Sequence, residues 1–345
     1  MPTEVPDSPL WRSSGASRED LVRTCLVRAG TSRIIVVNRS DAPSGVEDSN
    51  LALRLFGRES VADGLGGDHY QLNKLAIWNQ ATSGGLEFTF FNLAPGSRRV
   101  SQGAECGHAA VAVALVAGSD RSNDGSSQPI RIRNVDTGQV LEVAAPSGDR
   151  DRPGDCVARV IHEPPIVAGN HTELEAPTGS GGQLHWDVVP AGNIFALIPD
   201  RKACDDPRAR REIQASTLEW ARTSGLPNAR EEFIRAISYD ATWEQRDRCR
   251  VEAVCHNGVE RHNSLPVSGS SALCNQLVLD RLESPEFAPP RDRDELEIEF
   301  DLTSVSGVEI VTVEARRRSG HWEIASTSCT TNVRLLFEGT AFLSR

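Results

Sequence analysis

The sequence predicts an α+β protein of two similar domains, each a curved mixed or antiparallel sheet wrapped around a central apolar helix, with the functional residues in the interdomain cleft. Three observations carry this expectation. A chain of 345 residues exceeds the size at which one hydrophobic core is comfortable and points to two domains. Short β-branched runs, several alternating with period two, lie between polar breaks. One segment in each half places small residues and a glycine ahead of a helix that is apolar on nearly every side, as a helix enclosed by a sheet must be.

Taken in order, residues 1–20 are polar and lack the basic and apolar regions of a secretory signal, so they are expected to form a flexible lead. The first domain is expected over 21–184. Its strands are read at 33–37 (RIIVV), 86–91 (LEFTFF), 130–135 (IRIRNV) and 140–143 (VLEV), and its central helix at 105–118 (ECGHAAVAVALVAG). Segments 119–129, 146–155 and 172–182, rich in Gly, Pro, Ser and charge, read as surface loops. The second domain is expected over 185–345. It opens on a strand, turn and strand at 186–198, its central helix is read at 267–279 (VSGSSALCNQLVL), and its last strand is free to return to the first domain.

Composition narrows the function classes. A net charge of −11 argues against nucleic acid or an anionic membrane surface, which both require clustered basic residues. No apolar run approaches the roughly 20 residues needed to span a bilayer. A small anionic ligand needs only a local positive pocket, which helix N-termini and a few arginines can supply. The eight cysteines, at 25, 106, 156, 204, 249, 255, 274 and 329, form no CxxC pair. Together with the unsignalled N-terminus they read as reduced thiols of a cytoplasmic protein. Cys249, Cys255, His256 and His262 do not match a usual zinc spacing. With no glycine-rich dinucleotide fingerprint and no phosphate loop, the expected cofactor is none. The sequence leaves a homodimer open.

Lysine occurs only at 74 and 202, although Lys and Arg together number 37. Arg is always protonated and makes a poor base, whereas a buried lysine can act as one, so a chain with two lysines draws attention to both. The run after Lys74 (LAIW) places it at the margin of a buried element, read as a helix.

Several segments, in order, resemble the 2-methylaconitate cis-trans isomerase and aconitate isomerase family, whose members have a duplicated diaminopimelate-epimerase-like fold. They are 27–33 (VRAGTSR), 66–74 (GGDHYQLNK), 105–107 (ECG), 132–138 (IRNVDTG), 191–193 (AGN), 267–269 (VSG) and 334–339 (RLLFEG), and they cover the chain from about residue 25 onward. The resemblance implies a cofactor-independent proton shift, cis-trans or double-bond positional, on an aconitate-like or alkyl-substituted unsaturated di- or tricarboxylate. Lys74 falls on that family's base, and Cys106, at a helix start, is placed to carry the second proton or to orient substrate. The substrate-binding residues it implies are Arg28, Ser32, Gly66, Gly67, His69, Gly107, His108, Asn193, His262, Ser268, Gly269 and Ser270. Arg28 and Ser32 are expected to meet a carboxylate, and His69 and His108 to titrate near neutrality.

The chain departs from the family at 68–71, where Asp68, His69, Tyr70 and Gln71 replace small hydroxyl residues, and it has His108 and Asn263 at two further positions. Those departures keep open a keto-enol tautomerase or phenazine-type isomerase on the same scaffold, or a catalytically decayed binding protein. Symmetric two-thiol racemisation is disfavoured, because Ser268–Ser271 stand at the second helix start and Cys274 lies about a turn deeper.

Overall fold

The structure, a computed structural model, describes residues 20–57, 64–82, 84–94, 97–119, 129–148, 156–163, 172–177, 183–226, 229–258, 260–287 and 293–343. The chain runs through β1 (Leu21–Ala29), β2 (Ser32–Asn38), α1 (Asp48–Phe56), β3 (Lys74–Gln80), β4 (Leu86–Leu93) and β5 (Val100–Gln102). It continues through α2 (Gly107–Ser119), β6 (Ile130–Asn134), β7 (Val140–Gly148), β8 (Cys156–Glu163) and β9 (Thr172–Pro177). Then come β10 (Gln183–Ala191), β11 (Asn193–Ile198), α3 (Pro207–Thr223), β12 (Ile234–Trp243), β13 (Arg248–Asn257) and β14 (Glu260–Arg261). The last elements are α4 (Val267–Glu283), β15 (Glu295–Ser304), β16 (Gly307–Arg318) and β17 (His321–Phe342).

The pairing pattern occurs twice. β1 and β2 are antiparallel, β2 lies parallel to β3, and β3 is antiparallel to β4. β4 takes β5 antiparallel and β6 parallel, and β6, β7 and β8 follow antiparallel. The same sequence of partners runs from β10 to β17, with α3 in the place of α1 and α4 in the place of α2. β17 joins the two runs. Its first part pairs with β16, residues 328–333 pair with β8, and its last part pairs with β1. The first run thereby closes into a ring of eight strands, β1–β2–β3–β4–β6–β7–β8–β17.

Burial explains which segments become which element. Strands β4 and β15 alternate buried and less buried residues, the pattern of a sheet with one face on the core. Helix α2 is made almost wholly of Ala and Val over Ala109–Ala114, all at most 1% exposed. Valine is a modest helix former, but small side chains let the helix fit inside a ring, and tertiary burial overrides the propensity. The inward residues of the strands join α2 and α4 in one continuous core. The outer faces are covered by the amphipathic helices: Leu51, Leu55 and Phe56 of α1 pack on Ile35, Leu75 and Ile77, and Ile213 and Ala221 of α3 on Ile194 and Ile234. Helix α3 starts at a capped N-terminus, where the Asp206 carboxylate accepts from the Arg208 N–H with Pro207 at the first position. No helix among the described residues is long and apolar enough to cross a membrane.

Three expectations are corrected. The segment at Lys74 is a strand rather than a helix, because Leu75 and Ile77 meet the outer helix while Ala76 and Trp78 face the ring. A strand buried on both faces reads as the same short apolar run as a buried helix. Thr172–Pro177 is a strand rather than a loop, pairing with β10 at Glu175↔His185 and ending at a proline. β7 likewise reaches Gly148. The parts of the expected loops at 120–128, 149–155 and 178–182, and the lead at 1–19, lie outside the described residues.

Candidate active site

The entries of α2 and α4 meet. Gly107, the first residue of α2, lies so close to α4 that an added Cβ would sit 2.7 Å from the Val267 Cβ, so only glycine allows this approach. Beside them opens a small cleft, lined by Cys106, Gly107 and His108 from one helix start and by Pro266, Val267 and Ser268 from the other. The N–H groups of two helix starts thus border one space.

Strand β3 brings Lys74 into the cleft from the ring side, only 6% exposed. Its Nζ donates to Ser32 Oγ at 2.9 Å and to Cys106 Sγ at 3.7 Å, and it lies 5.9 Å from the centroid of the Phe90 ring. Ser32 Oγ is 3.2 Å from His108 Nδ1. Burial, and secondarily the positive charge of Lys74, push the His108 imidazole down to about 3. The expectation that His108 titrates near neutrality is therefore corrected: the ring is neutral, and Nδ1 is free to accept from the Ser32 hydroxyl.

Glu105 stands on the other side of Cys106 and is 4% exposed. Its Oε2 accepts from Asn134 Nδ2 at 3.0 Å and Thr137 Oγ1 at 2.7 Å, and its Oε1 accepts from the Cys106 N–H at 3.2 Å. Burial raises it to about 7 in spite of these donors. The turn between β10 and β11 closes over it: Gly192 has φ +78°, and a Cβ there would come 2.5 Å from the Glu105 Cβ. Next in the chain, Asn193 donates through Nδ2 to the Glu105 carbonyl at 3.1 Å.

The second half contributes Arg235 and His262. Arg235 is 7% exposed, and its Nη1 donates to the Glu232 and Ile234 carbonyls and to Asn257 Oδ1, so this buried guanidinium has no carboxylate partner among the described residues. Strand phase explains its position. Lys74 precedes the inward residues Ala76 and Trp78 of β3 as Arg235 precedes the inward residues Ile237 and Tyr239 of β12. A short 3-10 turn comes before each strand, Tyr70–Leu72 in one case and Glu231–Phe233 in the other. The repeat thus sets a cation at the same place in each half.

His262 is held by the segment that departs from the family pattern. Gln71 Nε2 lies 3.3 Å from His262 Nδ1 and donates to Thr31 Oγ1, and its Oε1 accepts from the Asn263 N–H at 3.4 Å. The Tyr70 ring meets His262 edge-on at 5.3 Å. Burial first, then Lys74 and Arg235, hold the His262 imidazole well below its ordinary range.

Seven of the expected residues line the cleft: Lys74, Cys106, Gly107, His108, Asn193, His262 and Ser268. The other seven lie outside its lining. Arg28, near the end of β1, donates to the Thr31 carbonyl, and Ser32 supports Lys74 from behind. The Gly66 N–H is taken up by the Phe56 carbonyl, Gly67 exchanges hydrogen bonds with the Asn73 side chain, and His69 caps the turn before β3. Gly269 packs on Phe195, and Ser270 donates to Glu309. Tyr70, Asn92, Glu105 and Arg235 line the cleft and escaped the sequence reading. Superposing KLAIW (74–78) on RAISY (235–239) is the signal that finds Arg235.

This architecture is the epimerase-like fold, in which a strand-and-helix unit is used twice. No protein-family model matches the chain, and no curated protein matches it in sequence. Among solved structures it is similar in fold to a methylitaconate-Δ-isomerase, with a TM-score of 0.62 and 16% identity over 94% of this chain and 95% of that one. It is similar also to a hydroxyproline epimerase from Agrobacterium vitis with bound trans-4-hydroxy-L-proline, with a TM-score of 0.55 and 12% identity over 94% of each chain. A probable proline racemase from Agrobacterium radiobacter K84 with bound carbonate gives a TM-score of 0.55 and 11% identity over 94% and 93%.

Proposed function

We propose that this chain is a cofactor-independent isomerase that moves a proton along a small unsaturated carboxylate bound between two domains, residues 21–184 and 185–345. The observation that carries this reading is the contact of Lys74 Nζ with Cys106 Sγ at 3.7 Å in a cleft where two helix entries meet. Similarity in fold to a methylitaconate-Δ-isomerase, a hydroxyproline epimerase and a probable proline racemase agrees with it.

In the proposed reaction a base takes a proton from the carbon next to a carboxylate. The C–H electron pair enters the adjacent π system as a dienolate, and a proton returns at the far end of the three-carbon unit, so the double bond moves and no redox change occurs. A carbon acid of this kind needs its enolate oxygens stabilised by donors already in place. The helix-entry N–H groups, the Ser268 hydroxyl and the Arg235 guanidinium supply them. Lys74 and Cys106 stand on one side of the space, as a shift along one face requires and as inversion at a single carbon does not. Aconitate-like and alkyl-substituted di- and tricarboxylates are the leading substrates. Keto-enol tautomerisation is the second reading, favoured by Tyr70 and Gln71 standing where the resembled family has small hydroxyls.

The test is proton NMR in deuterium oxide of cis- and trans-aconitate, 2-methylaconitate and oxalomesaconate with the wild type and Lys74→Ala. Isomerisation with deuterium uptake that vanishes in the variant is expected. Exchange that persists in Lys74→Ala, or no exchange into any bound acid, would sink the proposal.

A further inference from the structure

Asn193 is 4% exposed and lines the cleft. Its amide orientation is fixed, because Nδ2 donates to a backbone carbonyl, that of Glu105, which cannot donate in return. Asn193 Oδ1 is therefore an acceptor, and it has no hydrogen-bond partner among the described residues. A buried acceptor left unmatched is costly, so natural sites rarely keep one without a purpose. Its position is informative, since the carbonyl it grips belongs to the residue just before Cys106. Asn92, the antiparallel partner of Lys74, also lines the cleft, and its Oδ1 is unpartnered too.

The charge inventory points the same way. The cations lining the cleft are Lys74 and Arg235, set against the buried Glu105. With Lys74 taking the proton, Arg235 is the cation of the lining left to meet carboxylate, which suits a substrate with one or two such groups. A carboxylate oxygen set against Asn193 Oδ1 would oppose lone pair to lone pair, whereas an O–H or N–H at that point donates to it.

Resting on the proton-shift reading, we infer that the substrate is a mono- or dicarboxylate bearing a hydrogen-bond donor, a hydroxyl (including an enol O–H) or an N–H, on or beside the carbon that exchanges its proton, and that Asn193 Oδ1 accepts from it. The carboxylate goes to Arg235 and the α4 entry, and the donor to the Asn193 side beside Lys74 and Cys106. Asn193 thus selects substrate without itself moving a proton.

The experiment compares 2-methylenesuccinate with its 3-hydroxy and 3-amino derivatives, measuring affinity by titration calorimetry and, separately, exchange of the C3 hydrogen by NMR in deuterium oxide. The wild type is expected to bind at least one donor-bearing derivative about tenfold to a hundredfold more tightly than the parent acid, the range set by an unmatched buried acceptor. Preference for the hydroxy over the amino derivative identifies an oxygen-borne donor, and the reverse a nitrogen-borne one. Asn193→Ala should abolish the preference, so that the derivative and the parent acid bind the variant equally. Should that variant fail to fold, the wild-type comparison decides alone. Equal affinity for all three compounds, or binding of none, overturns the inference. Equal affinity with Lys74-dependent exchange overturns it while the proton-shift reading stands, and a donor preference with no exchange does the opposite.

Discussion

Gly107 and Val267 hold the two helix entries against each other, with 2.7 Å between the Val267 Cβ and the place a Gly107 Cβ would occupy. The cleft depends on this contact, because Cys106 and Ser268 are the immediate neighbours of the two residues. Gly107→Ala must push the helices apart at backbone level, and overpacking of this kind destabilises by about 1–3 kcal/mol. Solvent-proton exchange is expected to fall further than the melting temperature implies. A variant with wild-type exchange would show that the helix starts need not touch.

Ser32 and Arg28 were expected to play the same role, and the structure separates them. Ser32 accepts from Lys74 and sits beside His108, so Ser32→Ala should slow proton exchange roughly 10- to 100-fold, the worth of a hydrogen bond to a charged group, with little change in KM. Arg28→Ala should leave kcat and KM within about twofold, as expected of a contact outside the lining. Equal effects of the two substitutions would contradict this assignment.

Arg235 offers a sharper test, because a buried cation with no carboxylate partner among the described residues is expensive to keep. Arg235→Met should change stability by less than about 2 kcal/mol, since removing such a charge offsets the lost hydrogen bonds to carbonyl groups. Carboxylate affinity should nonetheless weaken about 100-fold, in line with loss of a charge-assisted pair. Calorimetric titration alongside urea unfolding reads both quantities. Unfolding of the variant with unchanged affinity of any folded fraction would place Arg235 in the scaffold alone.

The buried titratable groups set opposing pH effects. His108 is pushed down to about 3, and His162 and His256 to about 4, with burial the first cause in each. The unfolded chain takes up these protons as the pH falls below 6.5 while the folded chain does not, so the stability they contribute is lost toward acid. Glu105 and Glu309, raised by burial to about 7, act oppositely: the folded chain keeps protons that the unfolded chain releases above about 4.5, and that contribution is lost as the pH rises to 7. With His262 shifted downward as well, the histidines prevail, and unfolding free energy should drop by about 2–4 kcal/mol between pH 6.5 and 5.0. Glu105→Gln removes one opposing contribution and should steepen that drop. An unaltered slope would show that Glu105 is ionised throughout.

Much of this arrangement is legible in the residues. The glycine-led apolar helices at 107 and 267 announce themselves because an enclosed helix has no polar face, and a solitary lysine in an arginine-rich chain is conspicuous. Lys74 was misassigned to a helix because a strand buried on both sides has no alternation to display. Arg235 was missed for a different reason. Nothing local distinguishes it from an arginine at the margin of a surface strand, and only the duplicated strand phase turns it inward. Glu105 looked like part of a helix entry, and its proton-holding character arises from enclosure by the Gly192 turn, a contact made across 87 residues of chain. Ser32 kept its place beside the chemistry but exchanged a ligand for a lysine, a distinction of a few ångströms that residue order does not encode.

β17 also bears on how the molecule is made. Leu21 is opposite Phe342 in the register of β1 and β17, so the first ring stays open until the ribosome has delivered nearly all of the sequence described here. Until then the growing polypeptide carries β1 and β8 as unpaired edges, and its earliest strand waits for its latest. Sequence-distant pairing of this kind makes folding slow and the waiting edges prone to misassociation. The edges of β1 and β8, which wait for β17, are thus the places where shielding during folding matters most.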